Sequence, residues 1–507
     1  MICRSGPKQV ANASAALIAL LLVGCASLES TSSNSIGRTI AQADVAYQTL
    51  SANHVSNYNN AVESIAREIY GQTPEQLRSE LDSVGVKLDQ EKTQLPLARY
   101  HVAPRSSVPN ESRNIGVPML LDYDTSSARL YPRDGLITSA TAVYRRISGR
   151  PHFCLLTAKE IELNGSIYPL KIDNVAPITE MARRGRYVAR AGFRNMLRPG
   201  ETPNAPGIYL TEPYNSNKIV LLIVPGLQST PFAFVDLMKS IRSDAEIHEH
   251  VQVWTFLYAT GTPVLFNALE LRQQLGKTVA TLDPQDHDFA TRHIIVLGHS
   301  MGGLMAHTLV SSSGEKLWRA LFAVPPQQLK GDKATIRQLV DGLHFHRNSR
   351  VIGAIFAATP HRGSDLAESW IGRFAASLIH VPSGLQSDFM KVTSENPNAA
   401  TPAAKIFHRE MNFSSVHTLS PHDPALQALA DLPIEVPFHS VLGQHSPAPI
   451  ETSSDGVVPY SSSHLDHAAS ELVVRSGHGV CENREAQREV LRILRLKLHN
   501  QSRLARQ

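Results

Sequence analysis

The chain has 507 residues, of which 19% are charged, and a formal net charge of +4. At about 100–200 residues per domain, this length predicts two or three structural units. So small a positive excess argues against a nucleic-acid-binding protein, and no internal repeat indicates a solenoid or a coiled coil.

The N-terminus has the pattern of an export signal. Arg4 and Lys8 precede an apolar run, Ala13 to Val23, that is too short for a transmembrane helix. The run ends in Leu22-Val23-Gly24-Cys25, which resembles the lipobox of bacterial lipoproteins. The resemblance implies a signal peptide over residues 1–24, a lipidated Cys25 carrying palmitate-like chains, and anchoring in the outer membrane towards the periplasm or the surface. An ordinary secretory signal with an incidental cysteine is the alternative.

Two further cysteines, Cys154 and Cys481, remain in the exported chain. In an oxidising periplasm they either form a disulfide or stay as two buried thiols. The sequence leaves both possibilities open.

The part before residue 207 divides by composition into three segments. Residues 25–38, rich in Ser, Thr and Asn, predict a tether, and residues 39–95 predict helices. Thr73-Pro74-Glu75-Gln76 has the spacing of a capping box at a helix start. Residues 96–206 contain short β-rich runs between Gly, Pro and Asp turns and predict an accessory all-β module.

The arginine-rich stretch Met181 to Arg194 lies inside this predicted β-rich module. It carries five arginines among apolar residues. A solvated, salt-bridged face is favoured over contact with lipid phosphates.

Residues 207–500 alternate strands with helices, the order that a parallel sheet requires. Apolar runs predict strands at Ile219–Val224, Val251–Tyr258, His293–Leu297, Val351–Ala357, Phe438–Leu442 and Leu472–Val474. Helices are predicted at Asn267–Val279, Gly303–Val310 and Arg484–Leu498. The stretch 364–433 between two strands predicts an insertion that serves as a lid.

The pentapeptide Gly298-His299-Ser300-Met301-Gly302 stands between a predicted strand and a predicted helix. A serine on that turn is held at a strained position above the sheet edge, and the following helix aims its N-terminal N–H groups at the same place. Ser300 is therefore the candidate nucleophile.

A serine nucleophile needs a histidine to take its proton and a carboxylate to orient that histidine, in the chain order Ser, acid, His. Asp455 lies in Asp455-Gly456-Val457-Val458-Pro459, which resembles the D-G-x-V-P segment around the acid of many lipases. His478 follows the last predicted strand and is the candidate base. The rivals are Asp466 and Glu451 for the acid, and His299, His361, His445, His464 and His467 for the base.

The developing negative charge on a substrate oxygen needs two N–H donors. Met301, directly after the nucleophile, supplies one of them. The second is expected from Leu227, with Gln228 as the alternative, in the loop after the first strand of this region.

Together these motifs look like a bacterial α/β-hydrolase lipoprotein of the lipase/esterase kind, over about residues 205–500. Thr359-Pro360-His361-Arg362-Gly363 is similar to the T-P-H-x-G stretch of the same family, in which His361 is structural or lines the pocket. The resemblance implies an α/β fold with the doubly wound, mostly parallel sheet of that superfamily, to which the N-terminal helical segment and the β-rich module are attached.

The resemblance also implies hydrolysis of carboxylic esters, with lipid-like substrates, through a Ser-His-Asp acyl-enzyme mechanism that needs no metal or organic cofactor. Acyl transfer on the same triad, and a non-catalytic envelope binding protein, are the alternatives. Phe232, Phe234 and Trp370, with the insertion, either line an acyl pocket or belong to the core.

Overall fold

The computed structural model describes residues 35–90, 95–103, 113–195, 206–227, 229–260, 262–364, 391–405 and 417–504. These residues divide into two compact units. The first comprises the described residues of Met1–Asp124 together with Ile137–Pro177, and the second comprises Thr125–Leu136 together with the described residues from Ile178 onward. The predicted signal peptide, Cys25 and most of the predicted tether lie outside the described residues.

The first unit combines helices with a five-stranded sheet. Its helices are α1 (35–48), α2 (Val55–Glu68) and α3 (Pro74–Ser83). Its strands are β1 (Lys87–Gln90), β2 (Leu97–Val102), β3 (Val117–Tyr123), β4 (Leu136–Ile147), β5 (Arg150–Leu156), β6 (Glu160–Leu163) and β7 (Ser166–Pro169). The sheet order is β1-β5-β4-β3-β2, and β6 pairs with β7 in a separate hairpin.

A buried tyrosine joins the helices of this unit to its sheet. The hydroxyl of Tyr58 on α2 accepts the N–H of Tyr144 on β4 at 2.9 Å and donates to the carbonyl of the same residue. The predicted helical and β-rich segments, separated in sequence at residue 95, thus share one unit.

Of the sequence predictions for the first unit, one is confirmed and two are wrong. The capping box is confirmed, since Thr73 and Gln76 exchange side-chain to backbone hydrogen bonds of 3.0 and 3.3 Å. The tether boundary at residue 38 is wrong, because residues 35–48 are helical and bury Ile36 and Ile40. The helical prediction also missed β1, whose four residues pair in parallel with β5.

The helix α4 (Ala176–Asn195) corrects the predicted all-β character of residues 96–206. Ile178 and Ala182, four residues apart, are buried, and a Cβ on Gly185 would lie 1.8 Å from the Phe232 ring. Helical spacing of apolar residues was therefore present but hidden among arginines. Arg183 and Arg184 both pair with Glu180, at 2.7 and 3.0 Å, which confirms the salt-bridged interpretation for these two arginines.

The second unit is built on a seven-stranded sheet in the order β14-β13-β12-β11-β9-β10-β8. Its strands are β8 (Gly207–Leu210), β9 (Ile219–Val224), β10 (Val251–Leu257), β11 (Ile294–His299), β12 (Val351–Ala357), β13 (Phe438–Gly443) and β14 (Ser470–Val474). Every neighbouring pair is parallel except β8 with β10, which is antiparallel. The mixed α/β class predicted from the sequence is confirmed.

Helices accompany this sheet along the chain. They are α5 (Val235–Ser243), α6 (Ala245–His250), α7 (Val264–Leu282), α8 (Phe289–Arg292), α9 (Met301–His307), α10 (Lys316–Leu321), α11 (Lys333–Leu343), α12 (Pro424–Ala430), α13 (Tyr460–Ser463) and α14 (Arg484–Leu504). Residues 391–395 and 402–405 of the insertion are also helical. Within the described ranges no helix is long and apolar enough to cross a membrane.

Both faces of the sheet are buried, and β9 shows how. Val220, Leu222 and Val224 point into a core shared with α7, α9 and α11, whereas Ile219, Leu221 and Ile223 point into a core shared with α5 and α14. A strand covered on both sides is apolar at every position. For that reason the bounds of β9 and β12 agree with the sequence prediction, residue for residue.

The two cysteines of the described chain, Cys154 and Cys481, are free thiols. Burial raises the pKa of Cys154 to about 11 and that of Cys481 to about 12. Both are therefore protonated and unreactive near neutral pH. The sequence left open a disulfide or two thiols, and in the structure Cys154 and Cys481 are thiols.

Candidate active site

Ser300 lies on a sharp turn between the end of β11 and the start of α9. Its φ of 54° and ψ of −129° fall in a backbone region that residues with a side chain rarely adopt, at a cost of about 1–3 kcal/mol. The Ser300 N–H donates to the carbonyl of Ala357 on neighbouring β12 at 2.9 Å. The sheet thus holds the strained turn in place.

Glycines flank Ser300 because the backbone packs too closely there for side chains. A Cβ on Gly298 would lie 2.5 Å from the Cα of Gly303, and a Cβ on Gly302 would lie 2.1 Å from the carbonyl oxygen of Val224. Either contact would force the backbone to move. The spacing of the pentapeptide therefore has a steric cause in the packing of α9 against β9.

His478 joins the serine to a carboxylate. Its Nε2 lies 2.8 Å from the Oγ of Ser300, and its Nδ1 lies 2.8 Å from the Oδ2 of Asp455. Ser300 follows β11, Asp455 follows β13 and His478 follows β14. The structure thus brings the three predicted residues together at the carboxyl edge of one parallel sheet, where such loops meet.

The local fold fixes the carboxylate of Asp455. Its Oδ1 accepts the N–H groups of Val457 and Val458 at 2.8 and 2.7 Å, and its side chain is 2% exposed. A carboxylate that accepts two backbone N–H groups cannot rotate without losing both. Oδ2 is consequently left facing the imidazole of His478.

The two expected oxyanion donors follow adjacent strands. Met301 is the first residue of α9, so its N–H lies outside the hydrogen-bond ladder of the helix. Leu227 lies in the loop after β9, and a Cβ on Gly226 in this loop would be 2.7 Å from the Cβ of Ser300. The loop therefore passes directly beside the nucleophile. Gln228, the alternative donor, lies outside the described residues.

A tyrosine that sequence reasoning missed steadies the same loop. The hydroxyl of buried Tyr258, just beyond β10, donates to the carbonyl of Pro225 at 2.7 Å. Burial raises the pKa of Tyr258, so its hydroxyl stays protonated as the donor. No sequence signal could have found this contact, because it joins the loops of two different strands.

The rival acids and bases other than His299 have surroundings of their own. Asp466 has a side chain that is 77% exposed and pairs with His464 at 3.5 Å, and Glu451 is exposed. His361 is fully buried, packs edge-on against Phe356 and His307, and has a pKa well below its usual range because burial disfavours the cation. His445 and His467 are exposed. In the described part of the chain, no three His, Cys, Asp or Glu side chains are arranged to hold a metal ion.

An apolar cavity of about 60 Å³, partly open to solvent, lies between α7, α11 and α12. Its lining residues include Val264, Phe266, Leu339, Gly342, Leu343, Asp423, Leu426 and Leu429. No residue of the triad lines the cavity. Asp423, the buried carboxylic acid in this wall, caps α12 by accepting two backbone N–H groups, and burial raises its pKa to about 7.

The predicted lid is described only in part, since residues 365–390, with Trp370, and 406–416 lie outside the described residues. The described remainder contributes α12 to the cavity wall. Phe232 and Phe234 are not in that wall. Phe234 is 1% exposed and belongs to the core shared with α5, with Phe232 packed against it. Of the two possibilities that the sequence left open for these residues, the structure therefore supports the core.

Comparisons with known proteins find structural neighbours only. No protein-family model and no curated protein matches the chain, whereas 309 chains of solved structures do. A mature lipase of Bacillus licheniformis is 12% identical, with a TM-score of 0.34 over 57% of this chain and 99% of that one. Esterase B of Lactobacillus rhamnosis, inhibited by a tributyrin phosphonate, is 11% identical, with a TM-score of 0.32 over 64% and 97%.

A hydrolase from Pseudomonas aeruginosa is 16% identical, with a TM-score of 0.29 over 57% of this chain and 93% of that one. The matches to these three proteins cover between 57% and 64% of the present chain. Likenesses at these identities and TM-scores do not assign a function to the chain.

Proposed function

We propose that this chain is a serine hydrolase of the α/β-hydrolase superfamily. Within that class, it is a carboxylic ester hydrolase. The observation that carries the proposal is the hydrogen-bonded chain from Asp455 through His478 to Ser300, 2.8 Å at each step, with the serine on a strained strand-to-helix turn. A serine with only a structural role in a turn would not need a histidine beside it. Still less would it need one whose second ring nitrogen faces a fixed carboxylate.

The chemistry follows from the position of each proton. The Oγ of Ser300 attacks the ester carbonyl while its proton passes to the Nε2 of His478, and Asp455 stabilises the resulting imidazolium. The N–H groups of Met301 and Leu227 donate to the oxygen that becomes negative. His478 then gives its proton to the leaving alcohol. A water molecule, deprotonated by His478, releases the acid and restores Ser300.

The test is the initial rate of hydrolysis of p-nitrophenyl esters of increasing acyl length by the full chain, measured beside the Ser300→Ala variant. Turnover that depends on Ser300 supports ester hydrolysis. Folded protein that releases no p-nitrophenol at any length would contradict it. The alternatives would then be acyl transfer, in which an alcohol replaces water, and a binding role.

The substrate is proposed to carry an apolar acyl chain that occupies the cavity between α7, α11 and α12. Val264 begins α7 after the carboxyl end of β10. The lining residue Thr418 precedes Leu419, whose carbonyl accepts the N–H of Ser364 beyond the carboxyl end of β12 at 3.1 Å. Ser300 follows β11 at the same edge of the sheet. Among the described residues, the wall is mainly apolar, with one carboxylic acid and no Lys or Arg, which suits a hydrocarbon chain better than a charged substrate.

Filling this cavity should shorten the preferred acyl chain. Gly342 is buried in its wall, and a Cβ there would meet no atom within 4 Å. We expect Gly342→Phe to lower kcat/KM for long-chain esters about tenfold, as one or two lost methylene contacts imply, and to leave acetate esters unchanged. The measurement is kcat/KM against acyl length.

The matched control is Gly276→Phe. Gly276 also lies on a helix with open space beside it, but it is exposed and outside the cavity. An unchanged long-chain preference in Gly342→Phe would show that the acyl chain lies elsewhere.

Anchoring of the protein by Cys25 to the outer membrane is proposed from the sequence alone. The support is the basic start, the short apolar run and Leu22-Val23-Gly24-Cys25. Several acyl chains on one residue give stable membrane anchoring. We expect Cys25→Ser to abolish palmitate incorporation in labelled cells and to move the protein from the membrane fraction. Palmitate labelling that survives the substitution would contradict the anchor.

A further inference from the structure

His299, which precedes the nucleophile, has an imidazole that touches the base. Its Nε2 lies 2.8 Å from the backbone carbonyl oxygen of His478. Its ring centre lies 5.1 Å from that of His478 and 6.1 Å from that of Phe234, which packs edge-on against it. The side chain thus bridges the turn of Ser300 and the loop of His478.

The same imidazole borders the oxyanion loop. A Cβ on Gly226 would lie 3.2 Å from the Nδ1 of His299 and 2.7 Å from the Cβ of Ser300. A single ring therefore lies against three chain segments, those that carry the nucleophile, the base and the expected second oxyanion donor.

The contact with the carbonyl fixes the protonation of His299. A carbonyl oxygen only accepts, so Nε2 carries the proton and donates. Burial, together with the nearby His478, lowers the pKa of His299 to about 4. The ring of His299 is therefore neutral near pH 7, and it places no second cation beside the imidazolium that forms on His478.

We propose that His299 is a positioning residue, whose Nε2–H holds the backbone of His478 and thereby keeps the Nε2 of His478 within reach of Ser300. Such a hold matters in this loop because His478 stands between Gly477 and Gly479, and glycine restricts the backbone less than any other residue. A displacement of about 1 Å at the base can cost on the order of a hundredfold in rate. The catalytic consequence rests on the proposed function, whereas the positioning itself does not.

The test compares His299→Met with His299→Gln. The two side chains have similar length, but only the glutamine amide can donate to the carbonyl of His478. We expect His299→Met to lower kcat about 10- to 100-fold, as for a misplaced base, with KM nearly unchanged. His299→Gln should stay within about threefold of the parent. His299→Phe, which keeps a ring without a donor, is the second variant if His299→Met does not fold.

A readout that does not require turnover is the downfield proton resonance of the His478 Nδ1–H donated to Asp455. We expect this resonance in the parent and in His299→Gln, and its broadening or loss in His299→Met. Equal resonances and equal kcat in His299→Met and His299→Gln would overturn the positioning role. Absence of ester turnover in the parent, with the resonance still lost only in His299→Met, would refute the proposed function and leave the positioning role supported.

Discussion

Replacing Ser300 by alanine should lower kcat for ester hydrolysis by about 10⁵- to 10⁶-fold, because the acyl-enzyme can no longer form. The remaining rate, about 10³- to 10⁴-fold above that in water, would come from the oxyanion donors and substrate binding. The measurement is the initial rate on the preferred p-nitrophenyl ester, together with the pre-steady-state burst, which should vanish. Full activity in the variant would overturn the assignment of the nucleophile.

The same substitution should leave the fold intact. Alanine removes only the Oγ that meets His478, and the N–H bond to Ala357 that holds the turn remains. Thermal unfolding followed by circular dichroism checks this. Ser311→Ala is a matched control, because Ser311 is fully buried and its Oγ has no hydrogen-bond partner in the described part of the chain. Its rate should equal that of the parent.

The sequence could reveal the candidate site because chemistry and backbone geometry constrain the same few positions. Glycine is required at 298 and 302 because a Cβ at either position would lie 2.5 Å or less from a neighbouring backbone atom. The two glycines of the pentapeptide therefore indicate how closely the backbone packs around Ser300. Asp455 and Val457 lie two residues apart and bond to each other, so the motif around the acid is local. Local constraints of this kind are visible in one sequence.

Contacts between segments that are distant along the chain could not be predicted from the sequence. His299 was a rejected rival for the base, and its bond to His478 spans 179 positions. The bond from Tyr258 to Pro225 likewise joins two loops. Each depends on strand order, which periodicity does not specify. One sequence can therefore indicate the candidate catalytic residues, but not the side chains that hold their loops in place.

Segments whose composition conflicts with their structure were also missed. The helix α4 was included in a β-rich module because its arginines obscured the apolar positions Ile178 and Ala182. The short antiparallel strand β8 has four residues and depends on pairing with β10. The β-propensity of four residues is too weak to predict a strand, and tertiary packing decides whether the strand forms.

Replacing Asp455 by asparagine should lower kcat by about 10⁴-fold, less than the loss of Ser300, through a change in the tautomer of His478. The N–H groups of Val457 and Val458 occupy Oδ1, at 2.8 and 2.7 Å, so the asparagine oxygen would take that position. Its NH₂ would then face Nδ1 of His478. That nitrogen would have to accept, the proton would move to Nε2, and His478 could no longer take the proton of Ser300.

The control is Asp466→Asn, since Asp466 is the rival acid and its side chain is 77% exposed. An exposed carboxylate paired with His464 contributes little, so the rate should stay within about twofold of the parent. If Asp466→Asn caused the greater loss, the acid would have been assigned to the wrong residue. An aspartate-to-asparagine change alters the charge but hardly the volume of the side chain. A large loss of rate confined to Asp455→Asn would therefore be caused by the altered orientation and tautomer of His478, and not by altered packing.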